Sequence, residues 1–217
     1  MEKQKMTVMD FQKYKDEGRK FSYVTAYDYT TASIVDDSDV EVILVGDSLG
    51  MIMLGYKGTT AVTMDDMIHH IRPVVQGAPH TFVIGDMPFG SYQVSCEQAM
   101  TNAIHMIKET GCDCVKLEGG INMADKIAAI VNAGIPVMGH IGLTPQTATS
   151  LGGFKVQGGT LKAPANLLKM PRPSKKPAYS PSSLSACPVV SQGPCPKKSV
   201  FPFSVLVLVP MWTVRCW

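Results

Sequence analysis

Nearly every short apolar run in the first part of this chain ends on a side chain that can do chemistry. Val-Ile-Leu-Val-Gly stops at Asp47, Phe-Val-Ile-Gly at Asp86, Val-Lys-Leu at Glu118 and Pro-Val-Met-Gly at His140. The runs at 21–26, 42–45, 82–84, 114–117 and 136–138 are short, rich in β-branched and other apolar residues, and read as buried strands. Helical spacing fills the intervals at 64–75, 97–109 and 123–132, and an opening helix at 10–17 is ended by Gly18. Ser95 and Gln98 form a capping box for the second of these helices, and Gly111 and Gly134 stand at C-terminal stops. Strand and helix alternating at this interval give parallel strands joined by helical crossovers.

Two architectures satisfy that alternation, an open doubly wound sheet and an α/β (βα)8 TIM-type barrel. The strand-end residues favour the barrel, whose strands all deliver their C-terminal ends to one mouth. An open sheet would spread them along a line, and no Gly-x-Gly-x-x-Gly loop follows a strand to suggest a dinucleotide fold. About five βα units are in frame, so residues 1–169 are expected to form the N-terminal part of such a barrel.

The pattern breaks near Met170. No acidic side chain follows Asp125, and Pro171, Pro173, Pro177, Pro181, Pro188, Pro194 and Pro196 crowd out a helix or an inner strand. A Pro/Ser/Lys-rich disordered tail is one reading, but it leaves the apolar stretch 200–212 without a reason. A frameshift accounts for both. If one base is missing between the codons of Lys169 and Met170, Met170-Pro171 hides Ala, Met211-Trp212-Thr213 hides Val-Asp and Cys216-Trp217 hides Leu. The restored frame permits Asp-Ala-Lys-Ala-Leu-Glu-Glu-Ala-Gly, an apolar strand, Leu-Glu-Cys-Val-Pro and a Gly-rich loop. Residues 170–217 are therefore expected to be a frameshifted tail.

Net charge is only +2, and the basic excess lies largely in that tail, which gives no reason to expect nucleic acid as a partner. Cys96, Cys112 and Cys114 lack metal-ligand spacing and are expected in or beside a core. Residues 1–20 are polar and charged, unlike a signal peptide, and the apolar run 205–209 is too short to span a membrane. These features point to a cytoplasmic protein with no membrane partner.

Three carboxylates meeting at one mouth repel one another, and a divalent cation with oxygen ligands relieves them. Asp47, Asp86 and Glu118 are thus candidate Mg2+ ligands, against the alternative that each strand-end carboxylate only caps a helix or binds loop amides. Lys116 precedes Glu118 by two residues and shares its face of the strand. A buried ammonium there needs an anion, either a substrate carboxylate or a neighbouring acidic side chain. Ser48, in Gly-Asp-Ser-Leu-Gly, is placed to bind the same ligand or to serve its turn. His140 is a secondary candidate for acid–base work, against a structural role; His69 and His70 are expected to face solvent or a neighbouring helix. The segment 152–158 reads as a mobile loop. Together these residues suggest metal-assisted enolate chemistry on a small 2-oxo acid.

Five motifs then resemble one family. Val24-Thr25-Ala26-Tyr27-Asp28-Tyr29, Val45-Gly46-Asp47-Ser48-Leu49-Gly50-Met51, Asp86-Met87-Pro88-Phe89-Gly90-Ser91-Tyr92, Val115-Lys116-Leu117-Glu118-Gly119-Gly120 and Gly139-His140-Ile141-Gly142-Leu143-Thr144-Pro145-Gln146 are similar to those of ketopantoate hydroxymethyltransferases. The resemblance covers roughly residues 7–169. It implies transfer of a hydroxymethyl group from 5,10-methylenetetrahydrofolate to 3-methyl-2-oxobutanoate, giving 2-dehydropantoate for pantothenate synthesis. It also implies a Mg2+-dependent (βα)8 barrel assembled as a homo-oligomer, with Asp47, Asp86 and Glu118 at the metal. Ser48 and Lys116, with the two aspartates, would hold the keto acid. The catalytic base is missing: where the family has the Glu of Leu-Glu-Cys-Val-Pro, the overlapping codon reads Ser185, and Gly159 stands where the family commonly has Arg. The rival expectations are an oxo-acid carbon–carbon lyase of the phosphoenolpyruvate mutase type and a truncated product without catalysis.

Overall fold

The computed structural model describes residues 3–140 and 144–147, together with the backbone of a strand at 186–190. Five parallel strands run in sequence order: β1 (Tyr23–Thr25), β2 (Val42–Val45), β3 (Phe82–Asp86), β4 (Cys114–Glu118) and β5 (Val137–His140). All five match the expected runs to within two residues at either end, with β1 the middle of the 21–26 stretch. A sixth strand, β6 (Ala186–Val190), lies parallel to β5 with a register irregularity between Met138 and His140. It comes from the Pro-rich region, and among the described residues it pairs with β5 alone, an edge position where a Pro is tolerated.

Six α-helices and three 3-10 turns accompany the strands among the described residues, and two of the helices were not foreseen. α1 (Val8–Asp16) starts two residues earlier than expected, because Thr7 and Asp10 cap it reciprocally. α2 (Tyr29–Asp36) follows β1, with Asp28 accepting from the Thr31 amide. The four-residue α3 (Leu49–Ile52) follows β2, and a single 3-10 turn (Thr59–Ala61) leads into α4 (Met64–Gly77). α5 (Cys96–Thr110) and α6 (Ala124–Asn132) complete the set. At α5 only half of the expected capping box forms. Ser95 Oγ accepts from the Gln98 amide at 3.0 Å, but the Gln98 side chain reaches past Ser95 to accept from Val94 N and to donate to Gly90 O. Gly111 ends the helix in the left-handed region, φ 74°, where a Cβ would be strained.

The two faces of the sheet carry different cores. Ile43, Val45, Val83, Val115 and Leu117 point outward to α4, α5 and α6, against Met67, Ile71, Val74, Ala103 and Met106. Val42, Leu44, Phe82, Ile84, Cys114 and Met138 point to the opposite face, which Phe11 of α1 covers. Phe11 packs edge-on against Phe21 and Phe82, with ring centroids 5.1 and 4.9 Å away. Strand alternation puts Asp86 on that inner face with Phe82 and Ile84, and Lys116 and Glu118 there with Cys114. The inner face is therefore apolar at the N-terminal ends of its strands and charged at the C-terminal ends. Cys112 and Cys114 are buried and Cys96 is half-buried, all three as free thiols. Burial pushes the Cys112 thiol up to about 11, which suits a packing role. Among the described residues no helix is long and apolar enough to cross a membrane.

Candidate active site

Asp86 and Lys116 stand opposite each other in the β3–β4 register. The Lys116 ammonium donates to both Asp86 oxygens, at 2.8 and 2.7 Å, and lies 3.6 Å from Glu118 Oε1. Asp47, two residues past β2, donates its amide to Asp86 Oδ2 at 3.1 Å. All four side chains are buried, with Asp86 only 1 % exposed. Glu118 and His140 are register partners across β4 and β5, and Glu118 Oε1 lies 3.3 Å from His140 Nδ1 without hydrogen-bond geometry. The Ser48 hydroxyl lies 2.8 Å from the Tyr27 phenol. Of the two helical histidines, His69 is exposed, while His70 Nδ1 meets the Tyr27 carbonyl at 2.7 Å. The predicted loop 152–158, Gly159 and Ser185 lie outside the described residues.

Three residues with no assigned role in the sequence complete the cluster. Gln146, in a 3-10 turn (Pro145–Thr147), donates its side-chain amide to Asp47 Oδ2 and its backbone amide to Glu118 Oε2. Tyr92 is buried beneath it and donates to Gln146 Oε1 at 2.6 Å. Thr59 is buried beside Asp47, and its hydroxyl has no partner in hydrogen-bond geometry. The first two lie inside recognisable motifs, but no periodicity marks a loop Gln or Tyr as pointing inward.

Three carboxyl groups face one ammonium, so full ionisation would leave two negative charges uncompensated. Burial pushes Asp86 up to about 8, opposed by Lys116 and reinforced by Asp47 and Glu118. Asp47 is likewise raised, chiefly by burial. Burial would lift Glu118 too, but His140 and Lys116 hold it below the usual carboxylate range. Lys116 loses solvation on burial, yet the surrounding carboxylates keep it charged beyond its ordinary range. The fold thus favours a proton on Asp86 at pH values where the unfolded chain has released it. Because the folded state binds more protons, stability should fall as pH rises from about 4 through about 8. Thermal melts of metal-free protein at pH 6 and 8.5 check this. The melting temperature should be lower at 8.5, and Asp86→Asn should flatten the slope; equal slopes in the two proteins would contradict the assignment.

A hard divalent cation fits this set in its chemistry: carboxylate oxygens, a surplus of negative charge on full ionisation, and two buried polar atoms, Thr59 Oγ1 and His140 Nδ1, without a partner in hydrogen-bond geometry. Among the described residues no three acidic, His or Cys side chains are already gathered around one point as a cage. Lys116 occupies the space between Asp86 and Glu118.

Parallel strands in sequence order, with acidic residues and a lysine gathered at their C-terminal ends, define a chain of the α/β-barrel class. Two solved structures share the fold. A phosphonopyruvate hydrolase, solved with oxalate and Mg2+, superposes with a TM-score of 0.52 at 13% identity over 68% of this chain and 56% of that one. A phosphoenolpyruvate phosphomutase from Streptomyces platensis subsp. rosaceus gives 0.53 at 12% identity over 85% and 80%. The family model for ketopantoate hydroxymethyltransferase matches residues 5–175, and the chain belongs to that family. Among its curated relatives, the 3-methyl-2-oxobutanoate hydroxymethyltransferase of Heliobacterium modesticaldum is 58% identical over 165 residues, covering 76% of this chain and 60% of that protein. The enzyme of the same name from Desulfotalea psychrophila is 54% identical over 161 residues, covering 74% and 58%. The chain spans about three fifths of the length of the curated relatives it matches.

Proposed function

We propose that these residues serve transfer of a hydroxymethyl group from 5,10-methylenetetrahydrofolate to 3-methyl-2-oxobutanoate, giving 2-dehydropantoate. The observation that carries the reading is the buried cluster of Asp47, Asp86 and Glu118 around one ammonium, in a chain of this family. Asp47, Asp86 and Glu118 would hold Mg2+, directly or through water. Ser48 and Lys116, with both aspartates, would hold the oxo acid. Mg2+ held by these residues would supply positive charge that stabilises an enolate. Lys116, fixed by Asp86, presents its charge to the anionic end of the substrate and disfavours a neutral ligand. Loss of the C3 proton to a base frees the electron pair that forms the new bond to the folate-borne methylene carbon. Water completes the hydroxymethyl group as tetrahydrofolate departs. His140, beside Glu118, is a secondary candidate for moving a proton.

The family's base carboxylate has no counterpart in this reading frame. The same proposal takes residues 170–217 as the product of a lost base and the chain as encoded as inactive. A cytoplasmic homo-oligomer formed by the complete barrel belongs to the same reading. The lyase alternative is supported by fold alone, since the solved structures that suggest it are 12–13% identical.

The test is an assay of two proteins: the chain as encoded, and one with a base inserted between the codons of Lys169 and Met170. The restored protein should form 2-dehydropantoate only when both folate and Mg2+ are supplied, and the encoded chain should form none. Folate-independent cleavage of an oxo acid by the restored protein would favour the lyase. Turnover by the encoded chain would contradict the frameshift reading.

A further inference from the structure

We infer that Gln146 is a positioning residue, holding the Asp47 and Glu118 carboxylates in the arrangement in which they receive a divalent cation; this rests on the metal reading above. Gln146 reaches two carboxylates that come from the ends of different strands. Its Nε2 lies 2.9 Å from Asp47 Oδ2, and its backbone amide lies 3.1 Å from Glu118 Oε2. The orientation of the side chain is fixed by its other partners. Nε2 also donates to the Met87 carbonyl at 2.9 Å, and a carbonyl can only accept. Oε1 accepts from the Tyr92 phenol at 2.6 Å. Both amide hydrogens and the amide oxygen are therefore spent within a buried residue, so rotation of the group would break several bonds at once.

Tyr92 extends the same brace. Its oxygen accepts from the Glu118 amide at 3.1 Å while its hydroxyl holds Gln146. Gln146 thus connects the turn beyond β5 with the loops after β2, β3 and β4. Each carboxylate keeps other lone pairs for a cation: Asp47 Oδ1 and Glu118 Oε1 receive nothing from Gln146. Such an arrangement orients acidic ligands without occupying them, and loss of partners of this kind typically weakens metal binding by about 10–100-fold.

The test uses the whole chain and Mn2+ as a paramagnetic probe, with free ion followed by electron paramagnetic resonance. Gln146→Leu keeps the size of the side chain and removes the amide; it should weaken Mn2+ binding about 10–100-fold and broaden the spectrum of bound ion. Tyr92→Phe, the milder change, should weaken it less and serves alone if the leucine variant does not fold. In the Gln146→Leu background Tyr92→Phe should add less than it costs alone, since part of its hold on the cluster runs through Gln146. Unchanged affinity and unchanged line shape in folded variants of both kinds would overturn the inference while leaving the metal reading intact. Failure of the unaltered chain to bind Mn2+ would overturn both.

Discussion

Replacing Lys116 with methionine is expected to destabilise the protein by about 3–5 kcal/mol, the cost of leaving a buried charge without its partner. The lysine side chain is 7% exposed and grips an Asp86 side chain that is 1% exposed. Methionine fills a similar volume, so the loss is electrostatic rather than a cavity. Three carboxyl groups would then share a dry site with no cation, which pushes the Asp86 carboxyl further up. For a chain of this size a loss of that order lowers the melting temperature by about 10 °C. Mg2+ should return part of the loss, because an ion that binds only the folded state stabilises it by mass action. Asp86→Asn in the Lys116→Met background should recover much of it without metal. Urea melts of the single and double variants decide the matter. A single variant that melts with the parent would show that the ammonium contributes little, and a double variant no better than the single would place the loss elsewhere.

Ile71→Ala should cost about 2–5 kcal/mol, by cavity formation at the centre of the outer core. Ile71 is fully buried on α4, and its Cδ1 would lie 2.8 Å from a Cβ placed on Gly85 of β3. Met106 Sδ would meet the same Cβ at 2.8 Å and Cys112 Sγ at 3.3 Å. Gly85 therefore lets the helices approach the strand one residue before Asp86. The neighbouring Gly85→Ala is destabilising for the opposite reason, too much volume. Combined, the two changes should cost less than the sum of the singles, since the new methyl enters the space the isoleucine leaves. Denaturant melts of all three variants measure that coupling; strictly additive losses would show that Gly85 does not face Ile71.

Much of this architecture is legible in the sequence because its strands are short, buried on both faces and punctuated by charge. Asp47, Asp86 and Glu118 could be placed at one mouth from the position of each after an apolar run, and Lys116 with Glu118 from a spacing of two. The helices that escaped notice are α2 and α3, of eight and four residues, too short to develop a period. Tyr92, Gln146 and Thr59 escaped because loop residues take their direction from tertiary contacts, which no local pattern records. The Ser95–Gln98 pair shows the same limit at small scale: the spacing located the helix start, while the Gln98 side chain found partners at Gly90 and Val94 instead. The enzyme class came from five motifs in order, and the family match over residues 5–175 bears it out.

The strands pair in the order in which they are translated, each parallel to the one before it. A growing chain of this kind needs no later segment to begin its sheet, only the strand that has just left the ribosome. Gln146, the last residue to join the acidic cluster, is encoded well upstream of codon 170. On the frameshift proposed above, a lesion at that codon would divide the protein in time: the half that gathers charge would be synthesised intact, and the half that would spend it on chemistry would not.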